Sequence, residues 1–315
     1  MAKRLWTVEE CVERWGHVVK KWDGKTPIPI LDRLGRIFGI CAGTPEDEDW
    51  DTVHQDAAAH IQTARGECNF PKLRGVPLRG RFATMAAGVS FGGGQVRPGN
   101  LVHSVANARS LSKLLETRTI RRLMAFASGA FKFWCPRLHR YYADTLGQLY
   151  ARYPRLQRNY NRSVFPCATV NFGPRTCCFP HRDANNLPFG LCAITALGNF
   201  NPELGGHLIL WDLKLVIEFP PGATILIPSA TVLHSNVAIQ QGETRYSFTQ
   251  YAAGGLFRWV EHGFRLERVR KQGQSKEQVE QDLVDGEHRW DEGINLFSTL
   301  DELRSLHGDS KTPIR

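Results

Sequence analysis

The stretch Thr244-Arg245-Tyr246-Ser247-Phe248-Thr249-Gln250-Tyr251 is rich in strand-forming residues, and its period-two reading puts Arg245, Ser247, Thr249 and Tyr251 on one face. A fixed cation and a hydroxyl two residues apart suit a carboxylate, because the guanidinium fork pairs it through two hydrogen bonds and keeps its charge. Eleven residues before Arg245, His234 closes the apolar run Ile225-Leu226-Ile227-Pro228-Ser229-Ala230-Thr231-Val232-Leu233, where an imidazole without a partner is costly. Further upstream stands His181-Arg182-Asp183. Side chains at i and i+2 of a strand point the same way, so His181 and Asp183 can close on one ion while Arg182 faces away. With His234 they form a set of two histidines and one carboxylate. Such a set leaves one face of an octahedral ion open, which suits ferrous iron that must also bind a chelating cosubstrate and dioxygen. Arg245 and Ser247 would then hold the far carboxylate of 2-oxoglutarate.

His-Arg-Asp also opens the catalytic loop of protein kinases, but that loop needs an asparagine five residues after its aspartate, where this chain has Pro188. No Asp-Phe-Gly follows, and Gly92-Gly93-Gly94-Gln95-Val96-Arg97 does not fit the glycine-rich nucleotide loop. The length of 315 residues, with 42% hydrophobic and 10% aromatic residues, is enough for a sizeable globular core. The start turns acidic by Glu9-Glu10 and lacks the apolar region of a signal peptide, and no run approaches a membrane span. Eight cysteines without a C-x-x-C pair give no zinc framework and read as reduced thiols of an intracellular protein. Cys177 and Cys178, just before His181, read as packing residues.

The net charge of +9 conceals an asymmetry. From Cys68 to Arg182 there are 19 Lys/Arg and two acids, Glu116 and Asp144, a balance of +17 that ends on the metal motif itself. Arginines from Arg118 to Arg162 alternate there with Phe131, Phe133, Trp134, Tyr141, Tyr142, Tyr150, Tyr153 and Tyr160. Neutralising phosphates with such residues gives salt-sensitive affinity for nucleic acid, so a polyanionic partner is expected.

Along the chain, Thr7-Val8-Glu9-Glu10 fits a capping box, and apolar residues from Cys11 to Trp22 recur at helical spacing, predicting one opening helix. Residues 41–55 read as an acidic, turn-rich loop, and 89–100 as an irregular glycine-rich one whose amides suit a phosphate. Residues 104–119 and 136–153 predict two helices. Short strands are predicted at 166–172, 177–184, 190–197, 206–211, 214–219, 223–228, 231–238 and 244–252, a count that suggests a double-sheet jelly roll. Gly273 marks a break, Ser275-Lys276-Glu277-Gln278 caps a further helix, and Phe297, Leu300, Leu303 and Leu306 predict a last one. The expected fold is therefore α+β: an N-terminal helical and basic region over 1–164, a core over 165–262 and a helical extension over 263–315.

The metal motif, Gly205-Gly206 before Leu208-Ile209-Leu210, Pro221-Gly222 and the closing Arg-x-Ser resemble the double-stranded β-helix of the 2-oxoglutarate and iron(II)-dependent dioxygenases. Within that superfamily, Leu233-His234-Ser235-Asn236 and Gly242-Glu243-Thr244 through Tyr251 resemble fungal members of the TET/JBP group, which oxidise methyl groups on nucleic-acid bases. The likeness covers roughly 165–262, with an echo in Ser90-Phe91-Gly92-Gly93-Gly94-Gln95, and the cysteine-rich zinc segment of animal TET proteins is missing.

The resemblance implies Fe(II) on His181, Asp183 and His234, 2-oxoglutarate on Arg245 beside Ser247, dioxygen as cosubstrate, and succinate and carbon dioxide as products. Asn171 is either a partner for the C1 carboxylate or an asparagine that ends a strand before Gly173-Pro174. A duplex methyl cannot reach such a pocket unless its base is flipped out. Asn185 and Asn186 then meet the base edge or merely form a turn, Tyr251 or Phe91 stacks on the base, and Arg97 joins the substrate contacts. The expected substrate is 5-methylcytosine in double-stranded DNA, or N6-methyladenine, which implies DNA demethylation in the nucleus. The competing expectation is hydroxylation of a protein side chain or a small metabolite.

Overall fold

Thr7 and Glu10 each hydrogen-bond the other's backbone amide at the start of helix α1 (Val8–Trp15), and Gly16, at φ +65°, ends it. The helical spacing predicted on to Trp22 stops there, because the left-handed glycine turns the chain and Val18–Lys20 becomes strand β1. The computed structural model describes residues 4–70, 79–272 and 274–307. The predicted break at Gly273 lies outside the described residues.

After β1 follow β2 (Ile28–Leu31), β3 (Ile37–Gly43), α2 (Trp50–Glu67), β4 (Thr84–Ser90) and β5 (Gly99–Asn100). Three helices come next, α3 (Val105–Glu116), α4 (Arg118–Trp134) and α5 (Pro136–Arg152), then β6 (Cys167–Asn171), β7 (Cys192–Asn199) and β8 (Leu208–Leu210). A 3₁₀ turn, Trp211–Leu213, leads to β9 (Leu215–Ile217), β10 (Thr224–Ile227), β11 (His234–Asn236) and β12 (Thr244–Tyr251). Helices α6 (Gly254–Glu261), α7 (Glu267–Arg270), α8 (Lys276–Ile294) and α9 (Leu300–His307) close the described chain. Ser275 and Gln278 form the predicted capping box of α8.

The strands form a four-stranded sheet, β1-β9-β8-β11, and an eight-stranded sheet, β2-β3-β10-β7-β12-β6-β4-β5. All pairings but β1 with β9 are antiparallel. The architecture is thus helices with antiparallel sheets. The region before residue 165, expected to be helical, also supplies five strands, and α2 replaces part of the predicted 41–55 loop. Residues 177–184 form no strand; they run extended beside β11, bonded to it through the isolated His181–His234 bridge and through Asn236 N, which donates to the Cys178 carbonyl at 3.2 Å.

Alternation sorts the large sheet's two faces. Ala168, Val170, Tyr246 and Phe248 point outward into a core shared with α2, α3 and α4. Ile40, Ala193 and Leu226 join a second outer core with α4, α5, α6, Phe297 and Leu303, where Phe131 is fully buried and stacks on Phe165. Truncating Phe131 to alanine would cost about 3–5 kcal/mol. On the inner face, Cys41, Ala196, Ile225 and Ile227 pack against Leu208, Leu210 and Ile217 of the small sheet. Helix α1 covers the small sheet's other side through Cys11, with Trp6 beside it on Ile209, Trp211 and Val216. No helix of the described residues is long and apolar enough to cross a membrane.

Candidate metal centre

The pocket opens between the two sheets. From β12 it is lined by Arg245, Ser247, Thr249 and Tyr251, the four residues that the period-two pattern places on one face. Register sets Ser247 beside Asn171 and Ala196, and Thr249 beside Thr169 and Ile194. Leu208, His234 and Asn236 line it from the small sheet.

His181 and His234 face each other across the isolated bridge, each backbone amide donating to the other's carbonyl at 3.0 Å. Their ring centroids are 4.3 Å apart, and the ligand atoms of His181, Asp183 and His234 all lie within 4.8 Å of one another. His181 Nδ1 is 2.8 Å from the Phe179 carbonyl and His234 Nδ1 is 3.0 Å from the Val232 carbonyl. A carbonyl only accepts, so each Nδ1 carries the proton and each Nε2 keeps its lone pair for a metal. Burial holds His181 down to about 4 and lowers His234 as well, which keeps both rings neutral. Asp183 Oδ1 is buried and accepts no hydrogen bond. The Arg79 guanidinium lies 2.8 Å from it as an ion pair, at an angle that makes no hydrogen bond. Two free imidazole nitrogens and a buried carboxylate oxygen without a donor fit a divalent transition metal. Cys178 and Cys192 also line the pocket, but burial pushes Cys178 up to about 11 and raises Cys192 further, so neither offers a thiolate. All eight cysteines are free.

Arg245 is 1% exposed and no acidic side chain pairs with it among the described residues. Nη1 donates to the Thr176 carbonyl at 3.0 Å, whereas Nε is buried without a partner. Phe200 and Phe219 lie 5.9 and 6.0 Å from the guanidinium carbon. Burial lowers its pKa, a direction that exposes the cost of the missing counter-ion. Asn171 Nδ2 donates to Ser247 Oγ at 2.7 Å, so the two line the same wall already joined. The strand is held close here by Gly173 and Gly198, both at positive φ, where a Cβ would strike the Arg245 or Thr244 carbonyl. Neither glycine carries a sequence signal that separates it from the other glycines of the chain.

Among the remaining sequence candidates, Asn186 lines the pocket and donates to Ser229 Oγ at 3.1 Å. The structure does not bring Asn185, Phe91 or Arg97 to it. Asn185 is exposed and its carbonyl accepts from Gly254. Phe91 packs edge-on against Trp259, with ring centroids 5.1 Å apart, because β4 ends there against α6. Arg97 is exposed on the glycine-rich loop. Arg79 is the charged pocket residue that sequence reasoning missed, since its contact with Asp183 spans about a hundred residues and follows no local period.

No family model and no curated protein matches the sequence. Among solved structures, the chain is similar to NgTET1 in complex with 5mC DNA, at 16% identity over 79% of this chain and 88% of that one, with a TM-score of 0.47. It is also similar to an oxidoreductase of the 2OG-Fe(II) oxygenase family from Burkholderia pseudomallei, at 16% identity over 66% and 91% of the two chains, with a TM-score of 0.36.

Proposed function

We propose that this chain is an Fe(II)- and 2-oxoglutarate-dependent dioxygenase that oxidises a methyl group on a nucleic-acid base, first among them 5-methylcytosine in double-stranded DNA. The observation that carries the reading is one pocket that sets a metal-ligand cluster opposite a buried arginine without an acid. On one wall, a carboxylate oxygen with no hydrogen-bond donor, paired only with the half-exposed Arg79, joins two free imidazoles as a ligand set for a metal cation; on the other, a buried arginine without an acid calls for a carboxylate. A small dicarboxylate that also chelates the metal satisfies both. The two facing sheets are read on the same grounds as a double-stranded β-helix.

Bound iron would activate dioxygen with 2-oxoglutarate as reductant, giving succinate, carbon dioxide and an oxidised substrate carbon. The protein's share is placement. Arg245 and Ser247 hold one carboxylate, Asn171 is already joined to Ser247, and the protonated Tyr251 and Asn186 offer polar contacts at the far end of the pocket.

The nucleic-acid part is supported by how the charges of the basic window are paired. Arg122 and Arg137 are tied to Asp47, Asp49 and Glu302, and Arg182 to Asp212. Arg97, Arg152, Arg155, Arg158 and Arg162 are exposed and have no acidic partner among the described residues. The 155–157 backbone is bound to Asn100 of edge strand β5, through Asn100 Nδ2 to the Arg155 carbonyl at 3.0 Å and Gln157 N to Asn100 Oδ1 at 2.9 Å. Three strand spacings separate β5 from β12, about 14 Å, which a strand of nucleic acid covers in about four nucleotides. A base lifted into the pocket therefore leaves neighbouring phosphates within reach of these arginines.

Incubation with Fe(II), 2-oxoglutarate and a duplex carrying 5-methylcytosine, thymine or N6-methyladenine, followed by mass analysis of the nucleosides, tests the reading. Oxidised 5-methylcytosine is expected, with succinate formation that rises with DNA and falls with salt. Succinate formation indifferent to DNA, with every methyl group intact, would move the substrate to a protein or metabolite.

A further inference from the structure

Arg182, the residue between the two upstream ligands, points away from the pocket, as the strand period requires, and there it makes three bonds. Nε donates to the Thr231 carbonyl at 2.7 Å, and Nη2 donates to both carboxylate oxygens of Asp212, at 2.9 and 3.0 Å. Asp212 Oδ2 also accepts from the backbone amide of Leu233 at 2.6 Å. Leu233 immediately precedes His234, and its carbonyl accepts from Trp211 N at 2.9 Å. One carboxylate on the 3₁₀ turn after β8 therefore ties the segment bearing His181 and Asp183 to the segment bearing His234. The inner side of this frame is the His181–His234 bridge, and the outer side is Arg182 with Asp212.

We propose that Arg182 and Asp212 are positioning residues of the metal centre, an outer clamp that sets His234 against His181 and Asp183 before an ion binds. The inference rests on the metal reading of those three residues. Both side chains are more than 40% exposed, and a solvent-exposed ion pair adds little to fold stability. Its geometry has a sharper use. The extended segment that carries His181 and Asp183 belongs to neither sheet; besides the His181–His234 bridge, its backbone is held on this side by Asn236 N donating to the Cys178 carbonyl at 3.2 Å and Asp183 N donating to the Ser229 carbonyl at 2.8 Å. Without the clamp those few bonds alone set the segment against β11, and a shift of a few tenths of an ångström at each ligand is what metal coordination is most sensitive to.

The test is anaerobic titration of the full chain with Co(II), read by affinity and by the visible absorption bands that report coordination geometry, alongside melting of the metal-free protein. Arg182→Ala and Asp212→Ala are each expected to weaken Co(II) binding about tenfold, at the low end of the range for residues that orient ligands, and to change the bands. The double variant should be no worse than either single one, because the two act as one unit. Arg182→Lys keeps the charge without the fork and should fall between the wild type and Arg182→Ala. Wild-type affinity and spectrum in all variants would overturn the clamp while leaving the metal site intact. So would a loss of affinity that merely follows a lowered melting temperature. A wild-type protein that binds no Co(II) would overturn the metal reading itself, and the clamp with it.

Discussion

The two walls of the pocket are built in opposite ways. On the small-sheet side, the polar groups are oriented by short-range backbone bonds: each histidine is fixed by a carbonyl two residues away, and the two are paired through their own amides. On the large-sheet side, Arg245 is the second residue of an eight-residue strand, paired with Gly198 of β7 on one flank and bridged to Arg175, beyond the end of β6, on the other. The first wall sets only the half-exposed Arg79 against its carboxylate, and the second has no anion for its arginine. A wall shaped for structure alone would be expected to neutralise its own charges, since an unpaired buried charge is expensive. A ligand set on one wall and a buried unpaired arginine on the next teach that the missing partner is one assembly with both signs.

Removing the acid from the first wall should have the largest effect. Asp183→Ala leaves two neutral imidazoles, so Co(II) or Fe(II) affinity is expected to fall by more than about a hundredfold, beyond what a ligand-orienting residue produces. Melting of the metal-free protein should change little, because what Asp183 Oδ1 loses is no hydrogen bond but an ion pair to the half-exposed Arg79, worth about 0–1 kcal/mol. Retained affinity, measured by anaerobic titration, would break the asymmetry between the walls.

Arg245→Met addresses the second wall. Deleting one member of a buried, hydrogen-bonded charge pair costs about 2–5 kcal/mol, so binding of 2-oxoglutarate to the Co(II)-loaded protein should weaken at least about thirtyfold. Metal affinity should remain. The ligand-free melting temperature should hold or rise, since methionine removes an uncompensated charge from between Phe200 and Phe219. A variant that melts lower and still binds 2-oxoglutarate would make Arg245 a structural residue.

These two walls are also unequally legible in the sequence. The face of β12 is readable because its period is two, and the four residues on that face all line the pocket. The ligand spacing is readable for the same reason, although residues 177–184 are extended rather than a strand. What local pattern does not carry is contact across long sequence separation: Arg79 against Asp183, Asp212 against Leu233, and Gly198 beside Arg245. The helical layer is half visible. Helix α2 is hidden by the acidic residues before it, although Trp50, Val53, Ala57, Ile61 and Ala64 are buried at helical spacing. Strand β1 reads as helix because alternate and helical periods coincide over so few residues, and Gly16 alone decides between them. Charge is legible as a sum but not as a distribution, because distant acids neutralise Arg122 and Arg137.

That distribution gives a third, smaller effect. Arg155→Ala with Arg158→Ala should lower the salt dependence of duplex DNA binding by roughly 0.9 for each phosphate no longer neutralised, measured as the slope of log affinity against log salt. DNA-independent succinate formation should be unchanged, since neither residue lines the pocket. Arg137→Ala should leave the slope alone and lower the melting temperature instead, because Arg137 bonds Glu302 and the carbonyls of Asn295 and Phe297. Equal slopes in both variants would mean that the unpaired arginines do not track phosphates.

The smallest effect separates a histidine with nothing to bind from the pocket. His139 sits on α5 with its ring edge-on to Phe131, centroids 5.5 Å apart, and burial holds it down to about 4. Its folded value lies below its unfolded one, so the unfolded chain binds the extra proton first. The stability it contributes is complete above about pH 6.5 and drains as the pH falls toward 4. His139→Gln should therefore flatten part of the fall in unfolding free energy between pH 6.5 and 4.5, by an amount on the order of 1–3 kcal/mol, read by denaturant titration at each pH. The flattening should be the same with and without Co(II), because His139 is outside the pocket. A share that changes with Co(II) would couple the helical layer to the metal centre, and the two walls could no longer be treated as a site separate from the layer that supports them.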